Sequence, residues 1–288
     1  MPATMSIVRR RGPALAPAGP AVFRQGALQI HSEPGGWVVV IVGRARADVD
    51  RDGSISLCLV DDGADTAHLA DSVLLVVARA LIERHDGWFH VHAGLVTDDT
   101  GSATLIVGES GAGKTTTTLA LAARQHLLTD DVVFVQCRGQ DVVARGLLRP
   151  LHVGVATLEM FPELRASVLP GLSSAGKAVV GVDDAGGAGA VVVVGRLVFP
   201  SIHQAPLTTA EGMSPSLVLP LLLHGSAMVA WPGLPLGAEH LHCLGKLARL
   251  PGCALRIGGD ALVEPRCIAA AVESVLGVKG PVPEPRRK

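Results

Sequence analysis

The sequence predicts an α/β fold preceded by a small β-rich unit, and three observations support this prediction. After about residue 89, apolar strand-like runs alternate with helix-like segments. A glycine-rich turn at residues 108–115 joins one apolar run directly to a helix-prone segment. Before residue 89, short apolar runs are separated by turn residues. With 288 residues, 48% of them hydrophobic, the chain is long enough for one main domain and one smaller unit.

The two ends of the chain are predicted to be disordered. Residues 1–20 contain three consecutive arginines followed by a stretch with too many prolines for the apolar core of a signal peptide. We therefore expect a disordered leader there and a cytoplasmic protein. Residues 278–288 are rich in proline and charge, which predicts a disordered tail.

Residues 21–88 predict a small β-rich region with one helix. The segments 37–42 and 55–60 are apolar or alternate in the manner of strands. Over 66–85, apolar residues recur at the 3.6-residue spacing of a helix that packs one face on a core.

Residues 89–277 predict a nucleotide-binding catalytic domain. Apolar runs bounded by turn residues predict its strands, at 91–96, 103–107, 132–136, 142–144, 191–199 and 253–257. Helical segments are expected at 150–161, 241–250 and 265–276. An apolar stretch at 217–231 is interrupted by proline, glycine and histidine, which leaves no clean membrane span and favours a buried helix that begins at Ser214-Pro215.

The run Gly108-Glu-Ser-Gly-Ala-Gly-Lys114-Thr115 predicts a phosphate-binding loop because it lies between a strand and a helix. Its glycines let backbone N–H groups turn toward a polyphosphate, and the helix adds its N-terminal dipole. Lys114 is expected to reach the β- and γ-phosphates, and the Thr115 hydroxyl to bind Mg²⁺. The candidate nucleotide-binding residues are Gly108, Glu109, Ser110, Gly111, Ala112, Gly113, Lys114, Thr115 and Thr116.

Two neighbouring aspartates, Asp130 and Asp131, follow Thr115 by 15 and 16 residues. In a unit of parallel strands, the phosphate loop and the end of the next strand lie at the same edge of the sheet, so both carboxylates are expected to face the phosphates. Phosphoryl transfer to a hydroxyl requires one group that holds the metal and another that accepts the proton. The alternative is a solvated turn, which the same dipeptide marks elsewhere in this chain.

Upstream, His90 and His92 share one face of a predicted strand. With Val-His92-Ala-Gly, the phosphate loop and Leu128-Thr-Asp-Asp-Val-Val133, residues 91–135 resemble the catalytic core of the bacterial HPr kinase/phosphorylase family. They are more remotely similar to the nucleotide site of ATP-dependent phosphoenolpyruvate carboxykinases. This resemblance implies a mixed sheet with flanking helices. The closer likeness is to the family's divergent relatives in peptide-modifying gene clusters, which resemble kinases that act on a precursor peptide.

The resemblance also implies roles for individual residues. Lys114 and Thr115 would hold phosphate and metal, Asp130 would be the base toward an acceptor serine or threonine, and Asp131 would assist at the metal. His92 matches a histidine that lines the family's site, whereas His90 is interpreted as a core residue. The family's second signature has a glutamate before an Arg-Gly pair, but Arg145-Gly146 lacks an acid at that place. We therefore assign no third carboxylate ligand and do not expect phosphorylase activity.

Two arginines are candidates near the transferring phosphoryl group, where a guanidinium lowers the barrier by several kcal/mol. Arg149 is taken as the catalytic candidate, and Arg145 follows it because a hairpin after Asp131 would bring Arg145 back. Lys177 lies in a Gly/Ser-rich loop from which it would contact the substrate, although a surface lysine is the simpler interpretation.

Composition bears on the partners of the protein and on the state of its cysteines. The formal charge of −1 argues against a nucleic-acid partner. Five cysteines without paired spacing fit reduced thiols.

The phosphate loop, the nearby aspartates and the strand histidine together predict an ATP- and Mg²⁺-dependent kinase acting on a Ser/Thr hydroxyl of a protein or peptide. Two alternative functions stay open, a small-molecule kinase or carboxykinase-like enzyme and a non-catalytic nucleotide-binding regulator. A homo-oligomeric assembly also stays open.

Overall fold

The protein is described by a computed structural model, in which the chain divides into two compact units. The first comprises Met1–Trp88 with Met228–Gly237, and the second comprises Phe89–Ala227 with Ala238–Lys288. The described residues are 5–7, 20–25, 27–50, 55–60, 73, 87–147, 149–174, 176–182, 190–226 and 236–277. The predicted tail and, apart from Val73, the predicted helix over 66–85 lie outside them.

The first unit contains a six-stranded sheet with the order β1-β6-β5-β4-β3-β2. Its strands are β1 (Met5–Ile7), β2 (Ala21–Gln25), β3 (Leu28–Glu33), β4 (Gly36–Ile41), β5 (Ala45–Asp50) and β6 (Ile55–Leu59). Side chains alternate along β5 and β6, so that Ala45, Ala47 and Leu57 are fully buried in a core on one face. The predicted strands at 37–42 and 55–60 correspond to β4 and β6.

The first strand, β1, lies within the segment that was expected to be a disordered leader. Its backbone pairs in parallel with β6, from Met5 opposite Ile55 to Ile7 opposite Leu57. The edge of β6 offers backbone donors and acceptors that an isolated segment lacks, which gives this short stretch a partner. Apart from Pro20, the other residues of the expected leader lie outside the described part of the chain.

The second unit is built on a mixed sheet flanked by helices, so the predicted fold class is confirmed. The sheet order is β11-β10-β7-β8-β15-β17-β16, with β9 paired to β7. Its strands are β7 (Phe89–Thr97), β8 (Ser102–Val107), β9 (His126–Thr129), β10 (Val132–Arg138), β11 (Asp141–Gly146), β15 (Val191–Ile202), β16 (Thr209–Gly212) and β17 (Gly252–Ile257). Strand β15 is parallel to β8 and β17, and the other neighbours are antiparallel.

The connection through the phosphate loop differs in one respect from a simple parallel unit. Strands β8 and β9 both run antiparallel to β7 and lie on its two opposite edges. They therefore point in the same direction, as the sequence predicted, but β7 is inserted between them. Helix α1 (Lys114–Ala122) makes the connection.

A small second sheet was not predicted. It comprises β12 (Leu151–Val153), β13 (Val168–Ser174) and β14 (Lys177–Val180) in the order β12-β14-β13. The helix expected over 150–161 is accordingly shorter, because α2 covers only Val155–Met160. Leu151 and Val153 are buried on either side of a half-buried histidine, a period-two pattern that suits β12 better than a helix.

Three longer helices follow, namely α3 (Pro215–Gly225), α4 (Leu236–Leu247) and α5 (Arg266–Leu276), and all but the first two residues of α4 belong to the second unit. Helix α3 begins after Ser214, as predicted. Only one stripe of it is buried, with Val218 and Leu222 inaccessible and Leu217 and Leu221 exposed. Among the described residues, no helix combines the length and apolar character needed to cross a bilayer.

The close approach of α1 to β7 depends on Gly94. A Cβ atom at this position would lie 2.1 Å from the Thr118 hydroxyl oxygen of α1. We expect Gly94→Ala to lower the free energy of unfolding by about 1–3 kcal/mol, as for other overpacked cores. Urea denaturation measures this change, and Gly245→Ala is the control because nothing lies within 4 Å of its added Cβ. Equal stability of the two variants would contradict this account of the packing.

Candidate active site

The phosphate loop has the backbone shape that its glycines permit. Gly111 and Gly113 have φ values of +84° and +98°, in the left-handed region that other residues rarely occupy. A Cβ on Gly113 would also lie 2.7 Å from Ile257 Cδ1. Helix α1 begins directly after this glycine, so its first N–H groups and its dipole are directed toward the loop. This arrangement suits a bound phosphate.

The Lys114 side chain folds back over the loop. It is 7% exposed, and its Nζ donates hydrogen bonds to the carbonyl oxygens of Gly108 at 2.7 Å and Glu109 at 2.9 Å. Burial lowers the pKa of Lys114, and the negative charge of Asp131 partly opposes this effect. Both acceptors are neutral carbonyls, so a phosphate oxygen would be a stronger partner for this ammonium group.

The sheet register brings the aspartates to the start of the loop. Val107, the last residue of β8, pairs with Ala93 of β7, whose N–H donates to the Asp131 carbonyl oxygen at 3.2 Å. His92 pairs with Val132 at the next position. Ala93 in the middle of β7 therefore lies between the end of β8 on one edge and the turn from β9 to β10 on the other.

Asp130 is buried next to the phosphate loop. Its Oδ2 accepts a hydrogen bond from the Thr115 hydroxyl at 3.1 Å. Burial, together with the neighbouring charge of Asp131, raises the pKa of Asp130 to about 6, although the Thr115 hydroxyl opposes the shift. A carboxylate next to the predicted metal-binding hydroxyl is chemically suited to share a cation with it.

Asp131 faces the open side of the same site. Its carboxylate pairs with His92 Nε2 at 3.0 Å and with Arg149 Nη1 at 3.3 Å, and its side chain is 40% exposed. Four residues that the sequence singled out separately, His92, Asp130, Asp131 and Arg149, thus meet beside the loop. The predicted carboxylate pair therefore has one buried and one accessible member.

One cavity of about 310 Å³ joins these groups. Among the predicted site residues, its walls include His92, Ser110, Gly111, Gly113, Lys114, Thr115, Thr116, Asp130, Asp131 and Arg149. The loop residues Gly108, Glu109 and Ala112 do not line it. Sequence reasoning missed or undervalued the remaining wall residues, Pro150, His152, Gly154, Thr157, Lys177 and Ile202. Half of these, His152, Thr157 and Lys177, belong to the small sheet and α2, whose position depends on long-range pairing.

Arg145 lies elsewhere. The predicted hairpin forms, but its register puts Arg145 opposite Phe134, and the exposed Arg145 side chain is not among the cavity residues. The adjacent Gly146 is required by packing, since a Cβ there would lie 2.9 Å from the Leu128 carbonyl oxygen. Of the two arginine candidates, only Arg149 reaches the site.

His90 is a core residue, as interpreted from the sequence. It is 1% exposed and forms an edge-on contact with the Phe134 ring, with ring centroids 6.0 Å apart. His240 is buried on α4 and stacks on Phe89 at 4.8 Å. These histidines therefore contribute to packing and do not line the cavity.

The ligand set at the cavity fits Mg²⁺ better than a transition metal. The described residues contain no group of three His, Cys, Asp or Glu side chains that could enclose a metal ion. They do provide the Thr115 hydroxyl against the Asp130 carboxylate. Mg²⁺ is usually held by one or two carboxylates together with substrate phosphates and water, so this sparse oxygen set suits it.

The raised pKa of Asp130 predicts a pH-dependent cost to stability. The folded-state pKa of Asp130, about 6, exceeds the ordinary value of 3.8. The folded protein is therefore most stable, with respect to this group, below pH 3.8, where Asp130 is protonated, and it loses this stability as pH rises through about 6. We expect the stability advantage of Asp130→Asn over the unsubstituted protein to grow by about 1–2 kcal/mol from pH 5 to pH 8. Urea denaturation without nucleotide or Mg²⁺ measures it. A pH-independent difference would contradict the burial of an ionising Asp130.

Comparison with known proteins finds similar proteins, although no family model matches the chain. Over 72 residues the chain is 38% identical to the HPr kinase/phosphorylase of Geobacter sulfurreducens, and this segment covers 25% of the chain and 22% of that protein. The chain therefore spans about a fifth of the length of this curated relative. The solved Hpr(Ser) kinase/phosphatase from Coxiella burnetii is 13% identical with a TM-score of 0.31, covering 66% of this chain and 99% of that one. The sequence match to the Geobacter protein confirms the resemblance to HPr kinase/phosphorylases that was predicted from the phosphate loop and the paired aspartates.

Proposed function

We propose that this protein is an ATP- and Mg²⁺-dependent kinase that transfers the γ-phosphoryl group to a serine or threonine hydroxyl of a protein or peptide. One observation carries the proposal. A phosphate loop, a buried aspartate bonded to Thr115 and an accessible aspartate paired with His92 and Arg149 share one cavity. Phosphoryl transfer needs this combination of phosphate binding, metal binding and hydroxyl activation.

In this proposal, the loop and Lys114 hold the triphosphate. Backbone N–H groups at the start of α1 and the Lys114 ammonium neutralise charge on the β- and γ-phosphates. When bound, Mg²⁺ supplies additional positive charge where the γ-phosphoryl group leaves. Thr115 and Asp130 are the residues that would hold the ion, and the hydrogen bond between them orients both oxygens.

The contacts favour exchanging the roles that the sequence suggested for the two aspartates. Asp130 was expected to be the base and Asp131 the metal ligand. However, Asp130 is buried against Thr115, whereas Asp131 is the more exposed carboxylate on the cavity wall. A base must come within hydrogen-bonding distance of the acceptor hydroxyl, and accessibility therefore favours Asp131. We assign the metal to Asp130 and proton acceptance to Asp131.

His92 and Arg149 orient the proposed base. Each donates to a different oxygen of Asp131, which fixes the plane of the carboxylate. The Arg149 guanidinium has further N–H groups beyond the one that contacts Asp131. It is therefore placed to donate to an oxygen of the transferring phosphoryl group as negative charge develops there.

A protein or peptide acceptor is supported by the relatives rather than by the cavity alone. The solved relative is named as a kinase of a serine in Hpr. We infer an acceptor of the same chemical class for this chain. The sequence has no acid at the family's position before Arg145-Gly146, so we propose transfer to the hydroxyl and not phosphorolysis of the product.

Incubation with labelled ATP, Mg²⁺ and peptides encoded near this gene tests the proposal, with mass spectrometry as the readout. We expect a gain of one phosphoryl group on a serine or threonine. Labelling of a small hydroxyl compound instead would favour the small-molecule kinase. ATP binding without transfer to any acceptor would favour the nucleotide-binding regulator, and absence of ATP binding would contradict all three functions.

A further inference from the structure

Lys177 extends the proposed kinase site to the small sheet. Resting on the function proposed above, we propose that the Lys177 ammonium binds the γ-phosphoryl group of ATP from the cavity wall formed by β12 and β14. It would be a second lysine ligand of the phosphates besides Lys114. The residue lines the same cavity as Lys114, Asp130 and Asp131.

The position of Lys177 follows from the strand register. It is the first residue of β14, after Gly176 in the left-handed conformation at φ +76°. Val179 pairs with His152 of β12, so these two side chains share one face of the small sheet. Lys177 lies two residues before Val179 and therefore points to that same face. His152 and Lys177 accordingly both reach the cavity.

The charges of the site leave Lys177 without an anionic partner in the described part of the chain. Asp131 is engaged by His92 and Arg149, and Asp130 accepts the Thr115 hydroxyl. The salt bridges of the described residues do not include Lys177. Its side chain is nonetheless directed into a cavity that already contains a lysine and an arginine. Cations gathered in this way are stabilised when a polyanion binds among them.

The two lysines also act on each other. Both ammonium groups line one cavity, so their positive charges repel each other. A repulsion between ammonium groups within one cavity is unfavourable in the nucleotide-free protein. A phosphate group between them would replace this repulsion with two attractive interactions.

Of the three phosphates of ATP, the γ-phosphoryl group is the one that Lys177 is best placed to bind. The loop backbone encloses the β-phosphate in sites of this type, while the γ-phosphoryl group projects toward the metal and the acceptor. Here the metal and acceptor side is marked by Asp130 and Asp131, which share the cavity with Lys177. An ammonium in that position contacts ATP but not ADP.

The difference between ATP and ADP provides the test. Dissociation constants for both nucleotides with Mg²⁺ are measured calorimetrically for the unsubstituted protein, Lys177→Gln and Lys177→Arg. We expect Lys177→Gln to weaken ATP binding about tenfold or more, because one charge-assisted hydrogen bond is lost, and to change ADP binding less than about twofold. Lys177→Arg should retain most of the ATP affinity. Lys246→Gln is the matched control, since Lys246 bonds to the Gly139 carbonyl oxygen and does not line the cavity.

The outcomes separate this inference from the kinase proposal. If the unsubstituted protein binds both nucleotides and Lys177→Gln weakens both equally, or weakens neither, the γ-phosphate assignment is overturned while the kinase proposal stands. If the unsubstituted protein binds neither nucleotide, both are overturned. A selective loss of ATP affinity that Lys177→Arg restores supports the assignment, because a purely structural defect would not distinguish ATP from ADP.

Discussion

Asp131→Asn is expected to reduce phosphoryl transfer by about 10²–10⁴-fold, the usual contribution of a general base. The asparagine keeps the shape of the side chain but cannot accept the proton of the acceptor hydroxyl. Nucleotide affinity should change less than the rate, because the Asp131 carboxylate pairs with His92 and Arg149 and acts on Lys114 of the loop only through its charge. Initial rates at saturating ATP and Mg²⁺, together with ATP dissociation constants, measure the two effects separately.

Asp130→Asn is the matched comparison and should behave differently. The buried carboxylate bonds to Thr115, so its loss should raise the Mg²⁺ concentration needed for half-maximal activity. Part of the rate should return when Mg²⁺ is increased, which should not occur for Asp131→Asn. The opposite pattern would return the base to Asp130, as the sequence first suggested.

Lys114→Ala is expected to abolish both ATP binding and transfer, with ATP affinity falling about 100-fold or more. The lysine is the only cation within the loop sequence itself, and hydrogen bonds to charged groups each contribute about 1.5–3 kcal/mol. Calorimetric titration with ATP measures the loss.

The control for Lys114→Ala addresses folding. Removing a buried side chain that donates to Gly108 and Glu109 could alter the loop, so the melting temperature and circular dichroism of the variant are compared with those of Lys114→Met, which retains most of the side-chain volume. ATP affinity retained in a folded Lys114→Ala protein would contradict the role assigned to the loop.

The parts of the site that could be predicted are those encoded by local sequence. The phosphate loop is recognisable because its glycines, Lys114 and Thr115 are contiguous and lie between a strand and a helix. Asp130 and Asp131 could be linked to it because chain direction alone places the end of β9 near the loop. His92 followed from its position in the preceding strand and from the family resemblance. In each case a short segment carried the information.

The other wall of the cavity could not be predicted because it depends on pairing between distant segments. Strand β12 has only three residues, and its partner β14 follows a helix, a 3-10 turn and another strand. No local pattern identified His152 or Thr157 as neighbours of the loop, and Lys177 resembled a surface residue. Arg145 and Arg149 illustrate the same limit, since the sequence does not distinguish Arg145, which lies opposite Phe134 in the sheet, from Arg149, which pairs with Asp131.

The most direct test of the central claim is a crystal structure with a non-hydrolysable ATP analogue and Mn²⁺, which is located by its anomalous signal. We predict Mn²⁺ bound by the Thr115 hydroxyl and the Asp130 carboxylate, with the γ-phosphate between that ion and Asp131. A nucleotide whose terminal phosphate lies away from both aspartates, or an ion bound elsewhere, would contradict the proposed site.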